Sequence, residues 1–370
     1  MRQWHIFLFI PLFLYLFFQG CSREQEMDQV RLRMPVDTVG FVHTAAGLDS
    51  VIYYIDRNFG KGRREIFRLH RISKDFSWPM VICPHDDYIY AGDIYPYVLE
   101  NVKAAHVIIF GVAHKARKFN LENQIIFDSF THWKGPYGNI PVSGLREEIM
   151  ALLPPEIYQV HDSLQQVEHS VEALVPFLQH YNRTVQIVSI LVPYMSFDTM
   201  KKIARQLAQA IGQVVRKNQM QWGRDFAIAI SNDCVHYGDQ GWGGKNYAQF
   251  GADSVGYRAA TRHDLNIISE CLIDFLDPQK IHRFITYTVQ STNYKEYRWA
   301  WCGRYSVPFG LLTGYYLQNV LKTKSLNGIL LRYSTSLEHP PMPLQKFGLG
   351  VTAPANIHHW VGYAAIGYRF

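Results

Sequence analysis

The sequence predicts an α/β fold: a single domain with a mixed central sheet and helices on both faces. Two observations favour this class. Short apolar segments rich in β-branched residues alternate along the chain with longer amphipathic segments. Several apolar segments also run directly into a histidine, cysteine or aspartate, as strands do where open α/β sheets build their sites. No internal repeat or low-complexity linker divides the chain, so we expect one domain.

The N-terminus is predicted to lie outside that domain. An apolar run from Ile6 to Phe18 is followed by Gly20 and Cys21. The run is too short to span a bilayer comfortably, and a small residue before a cysteine suits lipoprotein processing. We therefore expect a lipidated Cys21, with an uncleaved anchor or a plain signal peptide as the alternatives.

These features set the expected boundaries and location. Residues 1–20 are the predicted signal peptide, residues 21–35 a polar tether, and residues 36–370 the domain. A lipid anchor would place the protein outside the cytoplasm, in a bacterial cell envelope, with the membrane as a partner. The charged fraction of 18 % and the net charge of +6, without a lysine or arginine run, give no sign of a nucleic-acid partner. The irregularly spaced cysteines do not resemble a disulfide framework.

The first half of the domain is predicted from its periodicity. Residues 36–60 should form a loop or short strand and then a helix, with Asp49 as a possible N-cap. Residues 78–114 contain two apolar runs separated by enough chain for one crossover helix, which predicts a βαβ unit with neighbouring parallel strands. A helix is expected between Gly144 and Pro154, and another over 168–181.

The second half continues the alternation. TVQIVSILVPY and FAIAIS are predicted buried strands, and the long amphipathic helix between them should begin after Ser196 as its N-cap. Residues 254–277 and 308–322 are predicted helices. LNGILLRYST and GYAAIGYRF should be the closing strands.

Two histidines stand at predicted strand ends. His85 ends the run WPMVICPH, and His114 ends HVIIFGVAH. If the two strands are parallel, both imidazoles lie at the same edge of the sheet, where they can share one divalent metal ion and leave coordination positions open. A lone histidine after a strand is more often a loop residue, so the metal hypothesis depends on the pair.

Further candidates follow later apolar runs. Cys302 precedes a predicted helix and has Arg304 beside it, and a cation and a helix terminus both favour the thiolate that binds metal. Asp233 and His236 stand in SNDCVHYG, where they can orient a ligand or transfer protons. Cys234 is a rival ligand, although strand alternation places it opposite Asp233.

A fourth candidate opens the segment EHSVEALVPFLQ. The serine and glutamates there look like helix caps, whereas His169 near a positive helix N-terminus should stay neutral and could act in acid–base chemistry. GWGGKN at 241–246 lacks the spacing of a phosphate loop and is interpreted as a flexible lip.

Taken together, these segments resemble the Memo family, known in bacteria as AmmeMemoRadiSam system protein B. The resemblance rests on six segments in order: VDTVGFVHTAAGLDSVIYYID, CPHDDYIYAG, FGVAHKA, EHSVEALVPFLQ, ISNDCVHYG and WCGR. That family is distantly similar in fold to the class III extradiol (LigB-like) non-haem iron dioxygenases.

The resemblance implies a metal site and a set of residues that line it. His85, His114 and Cys302 would be the metal ligands, with Fe²⁺ as the first expectation and copper or zinc as alternatives. Asp233, His236 and His169 would be the catalytic residues. We also expect Tyr88 and Arg304, which lie in the CPHDDYIYAG and WCGR motifs, to contact the substrate. The chain departs from the family pattern at Asp86 and Asp87, where the family has small residues.

Three functions remain open on the sequence. The first is a mononuclear non-haem iron or copper oxidoreductase, dioxygenase-like, acting on an unknown small-molecule or peptide substrate. The second is a non-catalytic module that binds a peptide or a metal, which the resemblance implies because the eukaryotic member of the family is described as an adaptor for phosphorylated peptides. The third is a zinc-dependent hydrolase, because His/His/Cys is a ligand set that zinc accepts.

Overall fold

The structure, a computed structural model, describes residue 1 and residues 30–370. The predicted signal peptide and the predicted lipidation site Cys21 lie outside the described residues. Residues Arg31–Phe370 form one compact unit. Within the described part of the chain, no helix has the length and apolar character needed to cross a bilayer.

The compact unit alternates strands and helices from its first residues to its last. Its strands are β1 Leu32–Arg33, β2 Met80–Cys83, β3 His106–Val112, β4 Ile125–Phe127, β5 His132–Gly135, β6 Gly138–Pro141, β7 Tyr158–Val160, β8 Gln186–Val192, β9 Phe226–Ser231, β10 His236–Tyr237, β11 Asp274–Phe275, β12 Asn327–Thr335 and β13 Trp360–Arg369. Its helices are α1 Ala45–Asn58, α2 Gly60–Leu69, α3 Tyr88–Ala91, α4 Pro96–Leu99, α5 Leu145–Met150, α6 Asp162–Val167, α7 Val175–Tyr181, α8 Phe197–Lys217, α9 Ser254–Cys271, α10 Pro278–Thr288 and α11 Ser306–Leu321.

The main sheet is mixed, as predicted. Its strand order is β11-β12-β13-β2-β9-β3-β8-β4-β7, with β10 paired to β13. The central strands β2, β9, β3 and β8 are all parallel, whereas β13 joins β2 in the antiparallel sense. A second, three-stranded sheet has the order β1-β5-β6.

Helices cover both faces of the main sheet, which confirms the predicted α/β architecture. Alternation along each central strand sends side chains to opposite faces. Met80 and Ile82 of β2 belong to the core that includes residues of α8, α9 and α11, whereas Val81 and Cys83 belong to the core that includes residues of α1, α4 and α7. Because both faces are buried, the central strands are continuous apolar runs.

The order of the central strands differs from the prediction in one respect. β2 and β3 are parallel but are not neighbours, because β9 lies between them and hydrogen-bonds to both. The predicted single crossover helix is instead two short helices, α3 and α4, the second of which begins at Pro96. The carboxyl ends of β2, β9 and β3 therefore form one row at the same edge of the sheet.

Most predicted helices are present, with corrected ends. Ser196 caps α8 as predicted, because its side chain accepts a hydrogen bond from the Thr199 N–H. Thr44, not Asp49, caps α1, since its hydroxyl accepts from the Gly47 N–H. The helix predicted over 254–277 ends at Cys271, and α10 follows it after β11.

Two further boundaries were predicted wrongly. Of the predicted helix 168–181, only Val175–Tyr181 is an α-helix. Glu168 adopts an extended backbone, and its side chain contacts residues that lie outside the helix. The folded unit also begins before residue 36. Arg33 of β1 is buried, forms an ion pair with Glu172 and packs over the ring of Trp133, so the last residues of the predicted tether belong to the fold.

Candidate metal centre

Three of the predicted site residues follow the row of parallel strands. His85, Asp233 and His114 each stand two residues beyond the last residue of β2, β9 and β3. The fold therefore places them side by side at the carboxyl edge of the sheet, where ligands bind in open α/β sheets. Cys302 comes from the segment before α11, which is joined to the chain after β9 by a bridge between Val235 and Trp301.

The structure brings metal-capable atoms together in two overlapping groups. One contains His85, His114 and His169, and the other contains His85, Asp233 and Cys302; within each group the donor atoms lie within 4.8 Å of one another. In the described residues, the predicted ligands His85, His114 and Cys302 do not form a group by themselves at that distance. His85 is shared, and its Nε2 lies 3.3 Å from the Cys302 sulfur.

The environment of His85 fixes its tautomer. Its Nδ1 lies 2.7 Å from the Ser231 hydroxyl, which donates its own proton to the Ser170 carbonyl at 2.7 Å. Since a carbonyl can only accept, the hydroxyl accepts from Nδ1–H, and the lone pair of His85 is on Nε2. Burial, and then the neighbouring His114, hold the pKa of His85 well below its usual value. His85 is therefore a neutral imidazole with Nε2 directed at the sulfur, the form that binds metal.

Glu168 orients His114 in the same way. One carboxylate oxygen lies 2.8 Å from His114 Nδ1, and the other accepts the His114 backbone N–H at 2.8 Å. Burial alone would raise the pKa of Glu168, but His114, His169 and the N–H of Ser170 outweigh burial and lower it to about 2. The ionised carboxylate accepts from Nδ1–H, which leaves Nε2 of His114 free for a ligand.

Like His85, the site histidines His169 and His236 are neutral. Burial and then His114 lower the pKa of His169 and that of His236 to about 4. The His169 ring stacks on His114 with 4.7 Å between centroids, and His236 Nδ1 lies 3.3 Å from the Cys234 carbonyl. His169 does not open an α-helix, so burial and its neighbours, not a helix dipole, keep it neutral.

The surroundings of Cys302 correct the expectation for its thiol. Arg304 packs 3.5 Å over the ring centroid of Tyr297 and donates to the Lys295 carbonyl. Burial, followed by Asp233, instead raises the pKa of Cys302 well above its usual value. The sulfur accepts the Asp233 backbone N–H at 3.1 Å. A cation bound beside the sulfur would supply the positive charge that a thiolate needs there.

Cys234, the rival ligand, lies outside both donor groups of the described residues. It is fully buried and packs closely against Gly362, where an added side-chain carbon would lie 3.3 Å from the Cys234 Cβ. The four cysteines within the described part of the chain are free thiols.

The site opens into a cavity of about 400 Å³. Five histidines line it: His85, His114, His169, His236 and His359. Four aspartates line it as well: Asp37, Asp86, Asp87 and Asp233. Burial, and then Asp86, raise the pKa of Asp87 to about 7, and the same two causes raise the pKa of Asp233 well above its usual value.

Neither residue predicted to contact the substrate reaches this cavity. Tyr88 is fully buried, and its hydroxyl donates to the Ala173 carbonyl at 2.6 Å. Arg304 is buried among tyrosines. Of the predicted lip at 241–246, Trp242 lines the cavity and stacks on His359 at 3.8 Å between centroids.

Sequence patterns alone do not assign a specific role to several of the site residues. Glu168 was interpreted as a helix cap, yet it holds His114, and Ser231 ends β9 and holds His85. The signal for Glu168 was a carboxylate directly before a candidate histidine. Ser231 and His359 gave no signal, because their partners lie more than a hundred residues away in the chain.

Comparison with known proteins agrees with the sequence motifs. The family model described as "Memo-like protein" matches residues 59–346, most of the chain. A MEMO1 family protein of Aquifex aeolicus is 29 % identical over 163 residues, 42 % of this chain and 54 % of that protein. A MEMO1 family protein of Saccharolobus solfataricus is 30 % identical over 162 residues, 42 % of this chain and 52 % of that protein. The chain spans about half the length of the curated relatives it matches.

Proposed function

This chain belongs to the Memo-like family, and from that premise we propose that it is a mononuclear metal-binding oxidoreductase of the dioxygenase type. Iron is the proposed metal and copper the alternative. His85, His114 and Cys302 are the proposed ligands, with Asp233 beside them. The proposed substrate is an organic molecule that enters the adjoining cavity.

The observation that carries the proposal is the arrangement around His85. Its Nδ1–H is engaged by Ser231, so Nε2 presents a lone pair 3.3 Å from the Cys302 sulfur and 3.4 Å from an Asp233 oxygen. Nitrogen, sulfur and oxygen donors converging in a buried pocket suit a transition metal and are costly to bury without one. The orienting contacts of His85 and His114 are those that metal-binding histidines commonly have.

The other cavity residues would act on the substrate. When bound, iron supplies Lewis acidity and one-electron chemistry with O2 at coordination positions that the protein leaves open. His169 and His236 are neutral at neutral pH, so each can accept a proton from a substrate hydroxyl. The aromatic side chains of the cavity would exclude water and position the substrate.

Metal content of anaerobically purified protein tests this proposal. We expect about one iron or copper ion per chain in the wild type, as a single site of this kind holds one ion. His85→Ala and Cys302→Ser should each lose most of it. Cys271→Ser is the matched control, because Cys271 is a buried free thiol outside both donor groups. A wild type that carries no more iron or copper than a variant with both His85→Ala and Cys302→Ser contradicts the proposal.

The size of the cavity is also compatible with a second candidate, a binding module without turnover. A volume of about 400 Å³ is within the range of small-molecule sites. Such a protein would bind a ligand or metal tightly and consume no O2 with any of a panel of small aromatic compounds. Zinc in the purified protein, with hydrolysis in place of O2 consumption, would instead favour the hydrolase.

We further propose that Cys21 carries a lipid that anchors the protein outside the cytoplasm. The support is the apolar run that ends three residues before that cysteine. Expression with labelled palmitate should label the wild type and leave Cys21→Ser unlabelled. Equal labelling of both proteins, or of neither, contradicts the anchor.

A further inference from the structure

The charge of the cavity wall is unbalanced. Four aspartates line the cavity, and among the described residues no lysine or arginine does. None of these carboxylates forms an ion pair with a lysine or arginine within the described part of the chain. The one basic residue next to a site histidine, Lys115, is exposed. An anionic ligand would therefore find no lysine or arginine on this wall as a countercharge, whereas a cationic ligand would be attracted to its carboxylates.

Asp87 has an oxygen that the protein leaves without a partner. The residue is 3 % exposed and lines the cavity. Its Oδ2 accepts the backbone N–H of Thr352 at 2.6 Å and the Thr352 hydroxyl at 3.0 Å. Its Oδ1 accepts no hydrogen bond from the described residues and is not among their fully buried polar atoms, so it is open to a donor in the cavity.

Asp37 presents a second free oxygen to the same place. Its Oδ1 accepts the N–H groups of Val39 and Gly40, whereas its Oδ2 has no partner among the described residues. A side-chain carbon on Gly40 would lie only 2.2 Å from the free oxygen of Asp87 and 3.4 Å from Oδ2 of Asp37. Glycine at position 40 thus lets the two unpartnered oxygens approach each other.

Aromatic rings complete this part of the wall. Phe41, Tyr90 and Trp242 line the same cavity. The Tyr90 hydroxyl donates to the Ala353 carbonyl at 3.1 Å, which ties the ring to the loop that Asp87 holds through Thr352. Carboxylates next to aromatic rings are a common environment for an organic ammonium group, which the ring faces also attract.

A second metal ion fits these aspartates less well. In the described residues, both groups of donor atoms close enough to hold an ion include His85, and neither includes Asp37, Asp86 or Asp87. The cavity that these three aspartates line has a volume of about 400 Å³, which is far larger than a single ion. The geometry favours an organic cation, which is large enough to occupy the cavity.

We infer that the ligand of this cavity carries an amine or other organic cation, held by Asp87 and Asp37 with an aromatic ring beside it. The inference names the substrate class of the proposed enzyme and in that sense rests on the proposed function. The preference for a cation, however, resides in the cavity wall and does not require turnover.

A charge series on one ring tests the inference. Tyramine, 4-ethylphenol and 4-hydroxyphenylacetate share a phenol and differ by a positive, neutral or negative side chain. Isothermal titration of the wild type should give at least about tenfold tighter binding of tyramine than of 4-ethylphenol, about 1.4 kcal/mol, and weaker binding still of the anion. Asp87→Asn and Asp37→Asn should each reduce that preference several-fold. In both variants the asparagine oxygen can still accept the backbone hydrogen bonds described above.

The controls separate this inference from the metal proposal. Asp198→Asn changes an aspartate whose side chain is 90 % exposed on α8 and should leave the preference intact. Cys302→Ser should also keep it, even if that variant loses metal. Failure to bind tyramine, equal binding of the three compounds, or an unchanged preference in both variants overturns the inference. A second divalent ion per chain that Asp87→Asn loses and Cys302→Ser retains would overturn it in favour of an inorganic cation.

Discussion

Most histidines around the cavity use one nitrogen to hold their own position. Four of the five have Nδ1 within hydrogen-bond distance of a protein oxygen: His85 to Ser231, His114 to Glu168, His236 to the Cys234 carbonyl and His359 to the Gln240 carbonyl. In each case the oxygen can accept the Nδ1 proton, so Nε2 keeps the lone pair. The residues that orient the imidazoles thus determine what the site can bind.

Ser231→Ala should weaken metal binding without removing a ligand. The change deletes the acceptor of His85 Nδ1–H, so the ring loses both its tautomer preference and its orientation. We expect metal affinity to fall by roughly 10- to 100-fold, the usual effect of losing an orienting partner, and less than in His85→Ala. Competition with a chelator measures this fall.

The matched control for Ser231 is Ser334→Ala. Ser334 is also a buried serine on a strand, but its hydroxyl has no partner among the described residues. Its loss should leave metal affinity unchanged. If Ser334→Ala and Ser231→Ala bind metal equally well, the orienting role of Ser231 is excluded.

Glu168→Gln should destabilise the protein in a way that depends on pH. The pKa of Glu168 is lowered from 4.5 to about 2, so the folded state favours the ionised carboxylate. Its contribution to stability is therefore present above pH 4.5 and is lost as the pH falls towards 2. The substitution should lower the free energy of unfolding by about 3 kcal/mol at neutral pH and by much less near pH 2.

Denaturant unfolding of the metal-free protein across this pH range measures the difference. Glu65→Gln on the exposed surface of α2 is the control and should change stability little at any pH. A destabilisation by Glu168→Gln that is the same at low and neutral pH would contradict the ionised state of Glu168.

The histidines could be predicted at residue level, whereas their partners could not. His85 and His114 directly follow apolar runs, and a strand that ends on a polar residue at a shared sheet edge is a local signal. The bond from His85 to Ser231 joins residues 146 positions apart, and that from His114 to Glu168 spans 54. Such pairings depend on the strand order, which one sequence does not contain.

At the scale of elements, Asp264 joins three parts of the structure behind the site. It lies in α9 and is fully buried. One oxygen accepts the indole N–H groups of Trp299 and Trp301, each at 2.7 Å. The other accepts the Tyr333 hydroxyl of β12 and the Val235 backbone N–H. These bonds fix the segment that leads to Cys302 against the segment that carries Asp233.

Asp264→Asn should have the opposite pH signature to Glu168→Gln. Burial, partly offset by its hydrogen bonds, raises the pKa of Asp264 from 3.8 to about 6. The folded state thus holds the proton more tightly, and the contribution of Asp264 to stability is lost as the pH rises through about 6. The free energy of unfolding of the wild type should exceed that of the variant at pH 4, and this difference should shrink by up to about 3 kcal/mol between pH 4 and pH 7.

Unfolding free energies of both proteins at intervals across that range check this expectation. Asp198→Asn, on the exposed face of α8, should show no such trend. If the wild type instead becomes more stable relative to Asp264→Asn as the pH rises, a raised pKa at Asp264 is excluded.

Strand and helix identities could be predicted more fully than their arrangement. The buried strands β8 and β9 and the cap of α8 follow from apolar runs and one serine. The insertion of β9 between β2 and β3 did not follow, because all three are similar apolar runs and pair equally well in principle. The extended backbone at Glu168 also overrides a sequence with helical periodicity, since its carboxylate is required at His114.

At the scale of the whole molecule, the site depends on segments from nearly the full length of the folded unit. The cavity is lined by residues from Asp37 near the start to Val361 in the last strand. The parallel strands bring the histidines to one edge, and the loop around Thr352 closes the wall through Asp87. The family and the α/β fold could be predicted from the order of the motifs. The gathering of four aspartates on the cavity wall could not, because it depends on how distant segments pack together.

The location of a bound metal ion is the most direct test of the account. Crystals of anaerobically purified protein, measured on both sides of the iron and copper absorption edges, reveal that location. We predict one anomalous peak within bonding distance of His85 Nε2 and the Cys302 sulfur, with His114 completing the ligands. A peak that lies away from the sulfur, or no peak in protein that retains its native fold, would contradict it.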